Sequence, residues 1–96
     1  MYDYDRRTKA AARDFLVPVK PTDSNRQIAQ RMVLHAAAGK RVLLSPKSSP
    51  RHKDYALWYD EGELTWHALI KGRKASDLNG EHLAAKVVEA WVKDYR

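Results

Sequence analysis

The chain has 96 residues, 44% of them hydrophobic, and its 18 lysines and arginines against 12 acidic residues give a formal charge of +6. With no cysteine, the sequence excludes a disulfide framework, a thiolate zinc site and a thiol nucleophile, and it fits a reducing compartment. No stretch approaches the ~18–20 apolar residues that span a bilayer, and residues 1–7 lack the apolar run of a signal peptide, so a soluble, cytoplasmic protein is expected.

A chain of this length holds one core. The pattern predicts a single α+β domain over residues 1–96, with an N-terminal helix and extended linker in 1–21 and the core in 22–96. Residues 5–16 read as a short helix, because Thr8, Ala11, Ala12 and Phe15 share one side. Pro18 and Pro21 then force an extended linker, since each disfavours a helical conformation in the residue before it. A second helix begins at Asp23 or Ser24, buries Ile28, Ala29, Met32, Val33 and Ala36, and stops at Gly39.

Val42, Leu43 and Leu44 predict a strand within residues 40–45, followed by a polar basic loop over 45–53 with prolines at 46 and 50. Residues 55–59 and 64–71 predict a hairpin about Asp60-Glu61-Gly62, with Gly62 in the left-handed position. Pairing Tyr59 with Glu63 places Ala56, Trp58, Leu64, Trp66, Ala68 and Ile70 on one apolar face. Trp58 and Trp66 are then expected to share a core with Trp91. The other face carries Tyr55, Leu57, Tyr59, Glu63, Thr65, His67, Leu69 and Lys71. Residues 71–74 read as a loop, and a last helix from Ser76 or Asn79 buries Leu83, Ala84, Val87, Val88 and Trp91, with Tyr95 at its end. The predicted order is α-α-β-β-β-α, a three-stranded antiparallel sheet with helices packed on one face.

Charge is segregated along the chain. Residues 40–53 carry Lys40, Arg41, Lys47, Arg51 and Lys53 without an acid, and Lys71, Arg73 and Lys74 form a second cluster. Between them, residues 54–70 hold Asp54, Asp60, Glu61 and Glu63 without a lysine or arginine. Such a field favours polyanions as partners, although it also serves plain solubility.

No catalytic constellation emerges from the residue order. Ala38-Gly39-Lys40-Arg41 fails as a phosphate-binding loop, because Leu34 and Arg41 stand where glycine and Ser or Thr are required and a helix precedes it. His35, His52, His67 and His82 lack the spacing of paired zinc ligands, so neither a metal nor a small-molecule cofactor is expected.

From Asp23 onward the α-β-β-β-α order, with Pro50-Arg51-His52 between the first two strands, resembles in layout the double-stranded RNA-binding domain. That resemblance implies a minor-groove contact by this loop. Ser49 stands in place of the family's glycine, and Asp77, Leu78 and Glu81 stand where its last helix carries lysines. The layout also suits other three-stranded α+β domains.

The leading expectation is a non-enzymatic binding protein whose basic loops, 40–53 and 71–74, contact nucleic-acid phosphates. Lys47, Arg51, Lys53, Arg73 and Lys74 are the phosphate contacts, with His52 against a groove or sugar. The alternative is an inhibitor or adaptor of the mobile-element type that docks on an acidic protein surface and offers Tyr55, Leu57, Tyr59 and His67 to a partner pocket. A small ribonuclease, with His52 or His67 as general base, is the third reading.

Overall fold

The computed structural model describes residues 14–44 and 54–95. In chain order they form β1 (Asp14–Leu16), α1 (Asn25–Ala37), β2 (Arg41–Leu43), β3 (Tyr55–Asp60), β4 (Thr65–Ile70), β5 (Arg73–Asp77) and α2 (Gly80–Tyr95). The class is α+β, but the sheet has five strands in the order β1-β2-β3-β4-β5, not three. It is mixed, because β1 runs parallel to β2 while the other pairs are antiparallel. The order from α1 onward is therefore α-β-β-β-β-α, which departs from the layout of the double-stranded RNA-binding domain by one strand.

The start of α1 follows from a reciprocal cap. Ser24 Oγ accepts from the Gln27 N–H at 3.1 Å, and Gln27 Oε1 accepts from the Ser24 N–H at 2.8 Å. Past its end, Gly39 sits at φ +94°, the left-handed conformation that ends a helix without a Cβ clash. In α2 the Asn79 side chain accepts from the His82 N–H at 3.0 Å, which caps the first turn. Both helices lie on the same face of the sheet, where Ile28, Met32, Ala36, Leu83, Ala84, Val87, Val88 and Trp91 meet Val42, Leu57 and Ala68 in one buried cluster.

Three expectations are corrected. Residues 14–16, the end of the expected first helix, form an edge strand in which Phe15 pairs with Val42; the rest of that helix lies outside the described residues. Residues 73–77 form β5 where a loop and helix start were expected. The turn before it is only Lys71-Gly72, with φ +56° and +79°, the type I′ geometry whose twist suits a two-residue hairpin.

The third correction concerns register. Asp60 pairs with Thr65 and Tyr59 with Trp66, so the turn has four residues and Leu64, at φ +55°, takes the left-handed place expected of Gly62. Asp60 Oδ1 stabilises this turn by accepting from the N–H groups of Gly62 and Glu63, at 2.9 and 3.1 Å. Strand side chains alternate, so the shift exchanges the faces of β3. Tyr55 and Leu57 point at the helices and are buried, while Trp58 points to the opposite face. Trp66 does pack against the helix-side core with Trp91, but Trp58 is not part of that core. Among the described residues, no helix is long and apolar enough to cross a membrane.

Candidate functional site

Two polar regions stand out, one at each end of the β3–β4 hairpin. The first is built on the sheet face away from the helices. Trp58 pairs with His67, and His67 with Ser76. Extending the β2–β3 register sets Arg41 beside Trp58, and its guanidinium lies 5.0 Å from the indole centre. A row Arg41, Trp58, His67, Ser76 thus crosses four strands.

Within it, His67 is 7% exposed, the one buried polar or charged residue among those described. A buried imidazole requires hydrogen-bond partners, and both ring nitrogens have one. Nδ1 lies 2.7 Å from Ser76 Oγ and Nε2 lies 2.8 Å from Glu63 Oε1. Asp60 Oδ2 is 3.9 Å from the same Nε2, so two carboxylates converge on one nitrogen. The donor atoms of Asp60, Glu63 and His67 all lie within 4.8 Å of one another, and these are the described residues with the donor types and spacing to hold a metal ion.

The second region is the opposite end of the sheet. Lys71, Arg73 and Lys74 are all exposed around the β4–β5 turn and line a shallow depression of about 520 Å³ with Ile70 and Ala75. Arg73 pairs with Ile70 and Lys74 with Leu69, which directs the two cations to opposite faces of the edge strand. Lys71 Nζ is 3.8 Å from Asp94 Oδ1, whereas Arg73 and Lys74 have no ion-pair partner among the described residues.

Tyr55, expected on a partner surface, closes the core above this end. Its hydroxyl donates to Asp94 Oδ2, and burial together with that carboxylate raises the phenol above its ordinary pKa. Leu57 is fully buried. Of the four proposed partner residues only Tyr59 is half-buried, and its ring packs on Trp66 at 5.0 Å between centres. His67 is likewise turned to its own network. Lys47, Arg51, His52 and Lys53 lie outside the described residues. The chain leaves the described fold at Leu44 and returns at Asp54, both beside the basic end: Leu44 N–H donates to Tyr55 O, and Gly72 N–H donates to Asp54 O at 3.0 Å.

Lys40 and Arg41, the other cations of the 40–53 run, belong elsewhere. Lys40 Nζ lies 4.5 Å from the centre of the Phe15 ring, and Arg41 covers Trp58. They sit toward the hairpin turn, away from the β4–β5 end. Sequence reasoning missed the Asp60, Glu63 and His67 cluster because it depends on register. The signal was an acidic turn opening a strand with a histidine four residues past Glu63.

No protein-family model, curated protein or solved structure matches this chain.

Proposed function

We propose that the protein is a non-enzymatic nucleic-acid-binding domain that grips phosphates with the basic end of its sheet. The observation that carries this reading is the hydrogen bond from Gly72 N–H to Asp54 O at 3.0 Å, which sets Asp54 beside the 71–74 turn. Asp54, which follows the first basic run, thereby lies beside the second. Arg73 and Lys74 straddle the edge strand with no ion-pair partner among the described residues, and Lys47, Arg51 and Lys53 are assigned as further phosphate contacts, with His52 against a groove or sugar. Clustered cations suit a polyanion, whose affinity rests on phosphate neutralisation and counterion release. The docking alternative has less support, because Tyr55 and Leu57 face the helices and offer no side chain to a partner.

The test is titration of a mixed oligonucleotide pool at several salt concentrations. Arg73→Glu with Lys74→Glu should reduce the salt slope by roughly 1.4–1.8 for two lost contacts, at about 0.7–0.9 each, with little dependence on sequence. A charge-matched control, Arg26→Glu with Lys86→Glu on the exposed helix surfaces, should retain more of the affinity. Equal weakening by both pairs means that net charge alone accounts for the binding, and the proposed site is then wrong.

A further inference from the structure

We propose that Asp60, Glu63 and His67 form a binding site for a divalent transition-metal ion of the zinc class at the turn end of the β3–β4 hairpin. The three donors come from the end of β3, the turn and β4, so the hairpin's own register assembles them. Around one ion, nitrogen and oxygen ligands sit about 2.0–2.2 Å from the metal and hence roughly 3–3.6 Å from each other. The separations of 2.8 Å from Nε2 to Glu63 Oε1 and 3.9 Å from Nε2 to Asp60 Oδ2 bracket that range. Small rotations of two carboxylates, with the ring left in place, bring all three onto one ion.

The ring is prepared for this. His67 is held on a central strand, nine-tenths buried, and Ser76 Oγ lies 2.7 Å from Nδ1 on the far side from the carboxylates. Metal-bound imidazoles carry such an outer partner on the second nitrogen, where it sets the tautomer and orients the ring. Which ring nitrogen donates to Ser76 Oγ or to Glu63 Oε1 is set by the tautomer. With metal, the proton resides on Nδ1 and is donated to Ser76 Oγ, which frees the Nε2 lone pair for the ion.

The carboxylates supply the rest. Asp60 Oδ1 is engaged by the Gly62 and Glu63 N–H groups, which leaves Oδ2 as the oxygen turned to His67. Glu63 is exposed, so water completes the coordination shell from the solvent side. Two carboxylates balance a doubly charged ion, and one imidazole selects zinc-like metals over magnesium and calcium, which take oxygen ligands.

Isothermal titration of the whole chain with zinc chloride tests this, beside ¹⁵N spectra of the imidazoles. One equivalent of zinc should bind, with the His67 Nε2 resonance shifted and those of His35, His52 and His82 unmoved. Glu63→Gln and Asp60→Asn, both at the surface, should each weaken binding at least tenfold. Ser76→Ala should weaken it roughly 10–100-fold through the loss of ring orientation. Magnesium should not compete. The proposal is overturned if zinc does not bind, if Glu63→Gln binds as tightly as the wild type, or if the shifts appear at another histidine.

Discussion

Gly80 opens α2 directly against the indole of Trp66, and replacing it with alanine tests the packing of helix on sheet. A Cβ at Gly80 would lie 2.4 Å from Cε2, 2.5 Å from Cδ2 and 2.7 Å from Cζ2 of that ring. Carbon atoms pack at about 3.5–4.0 Å, so the ring must withdraw by roughly 1 Å. Little room exists for that movement, because Trp66 packs against the buried cluster and its ring sits 5.0 Å from that of Tyr59. Overpacking of this kind costs about 1–3 kcal/mol. Alanine gains up to ~1 kcal/mol over glycine from helix propensity, so with that gain in full the net expected loss is about 0–2 kcal/mol. For a domain of this size each kcal/mol corresponds to about 4–8 °C in Tm.

Urea denaturation followed by far-UV circular dichroism measures the loss, and a second background decides its cause. In Trp66→Leu the obstructing ring is gone, so Gly80→Ala should become neutral or stabilising by up to ~1 kcal/mol. A Gly80→Ala cost that is the same in both backgrounds, or a gain in the wild type, would refute the contact between α2 and β4.

Two further outcomes follow from local chemistry. Arg31 donates to Asp23 Oδ2 at 2.9 Å, and this bond, with that from the Lys20 N–H, lowers the Asp23 pKa from 3.8 to about 2. The stabilisation is therefore complete above pH 3.8 and is lost as pH falls toward 2, so Asp23→Asn should flatten that part of an acid-denaturation curve, and carboxyl NMR should place the titration near 2. Gly72→Ala should cost about 1–2 kcal/mol from left-handed strain alone, since its Cβ would meet Asp54 Oδ1 at an ordinary 3.8 Å. Thermal unfolding checks this, and a variant as stable as wild type means that the β4–β5 turn is not type I′.

The elements that the sequence made legible are those fixed by neighbours. Ser24 with Gln27, and Gly39 past the end, bound α1 through local backbone chemistry, and the stripe from Leu83 to Trp91 identifies α2 by its period. What escaped depends on partners far along the chain. Phe15 fits a helical stripe with Ala11 and Ala12, yet pairing with Val42 across the intervening helix decides its conformation. In β5, Arg73-Lys74-Ala75-Ser76-Asp77 has no β-branched or aromatic residue, so strand character comes from β4 beside it. Gly62 drew the turn onto itself, but the Asp60 carboxylate serves two turn N–H groups and permits a longer loop. That choice puts Tyr55 and Leu57, rather than Ala56 and Trp58, against the helices, and larger apolar side chains fill the core. The same change of face brings Asp60, Glu63 and His67 together. The basic clusters were legible as charge, while the nearness of Asp54 to the 71–74 turn required the bond between Gly72 and Asp54.

Among the described residues the sheet does not close and has two rims, β1 and β5, and the backbone groups of such rims can template another chain. The β1 rim is only three residues long. At β5, two copies aligned edge to edge, parallel and in register, would bring Arg73 and Lys74 of each against those of the other, and their repulsion opposes that pairing. In that alignment the cations proposed to hold phosphates also oppose self-addition. Charge reversal preserves that repulsion, whereas valine at both positions would leave an apolar rim and invite oligomers. For the same reason, a polyanion that neutralises Arg73 and Lys74 removes the barrier between neighbouring sheets, so copies gathered on one strand gain a route to lateral association that free copies lack.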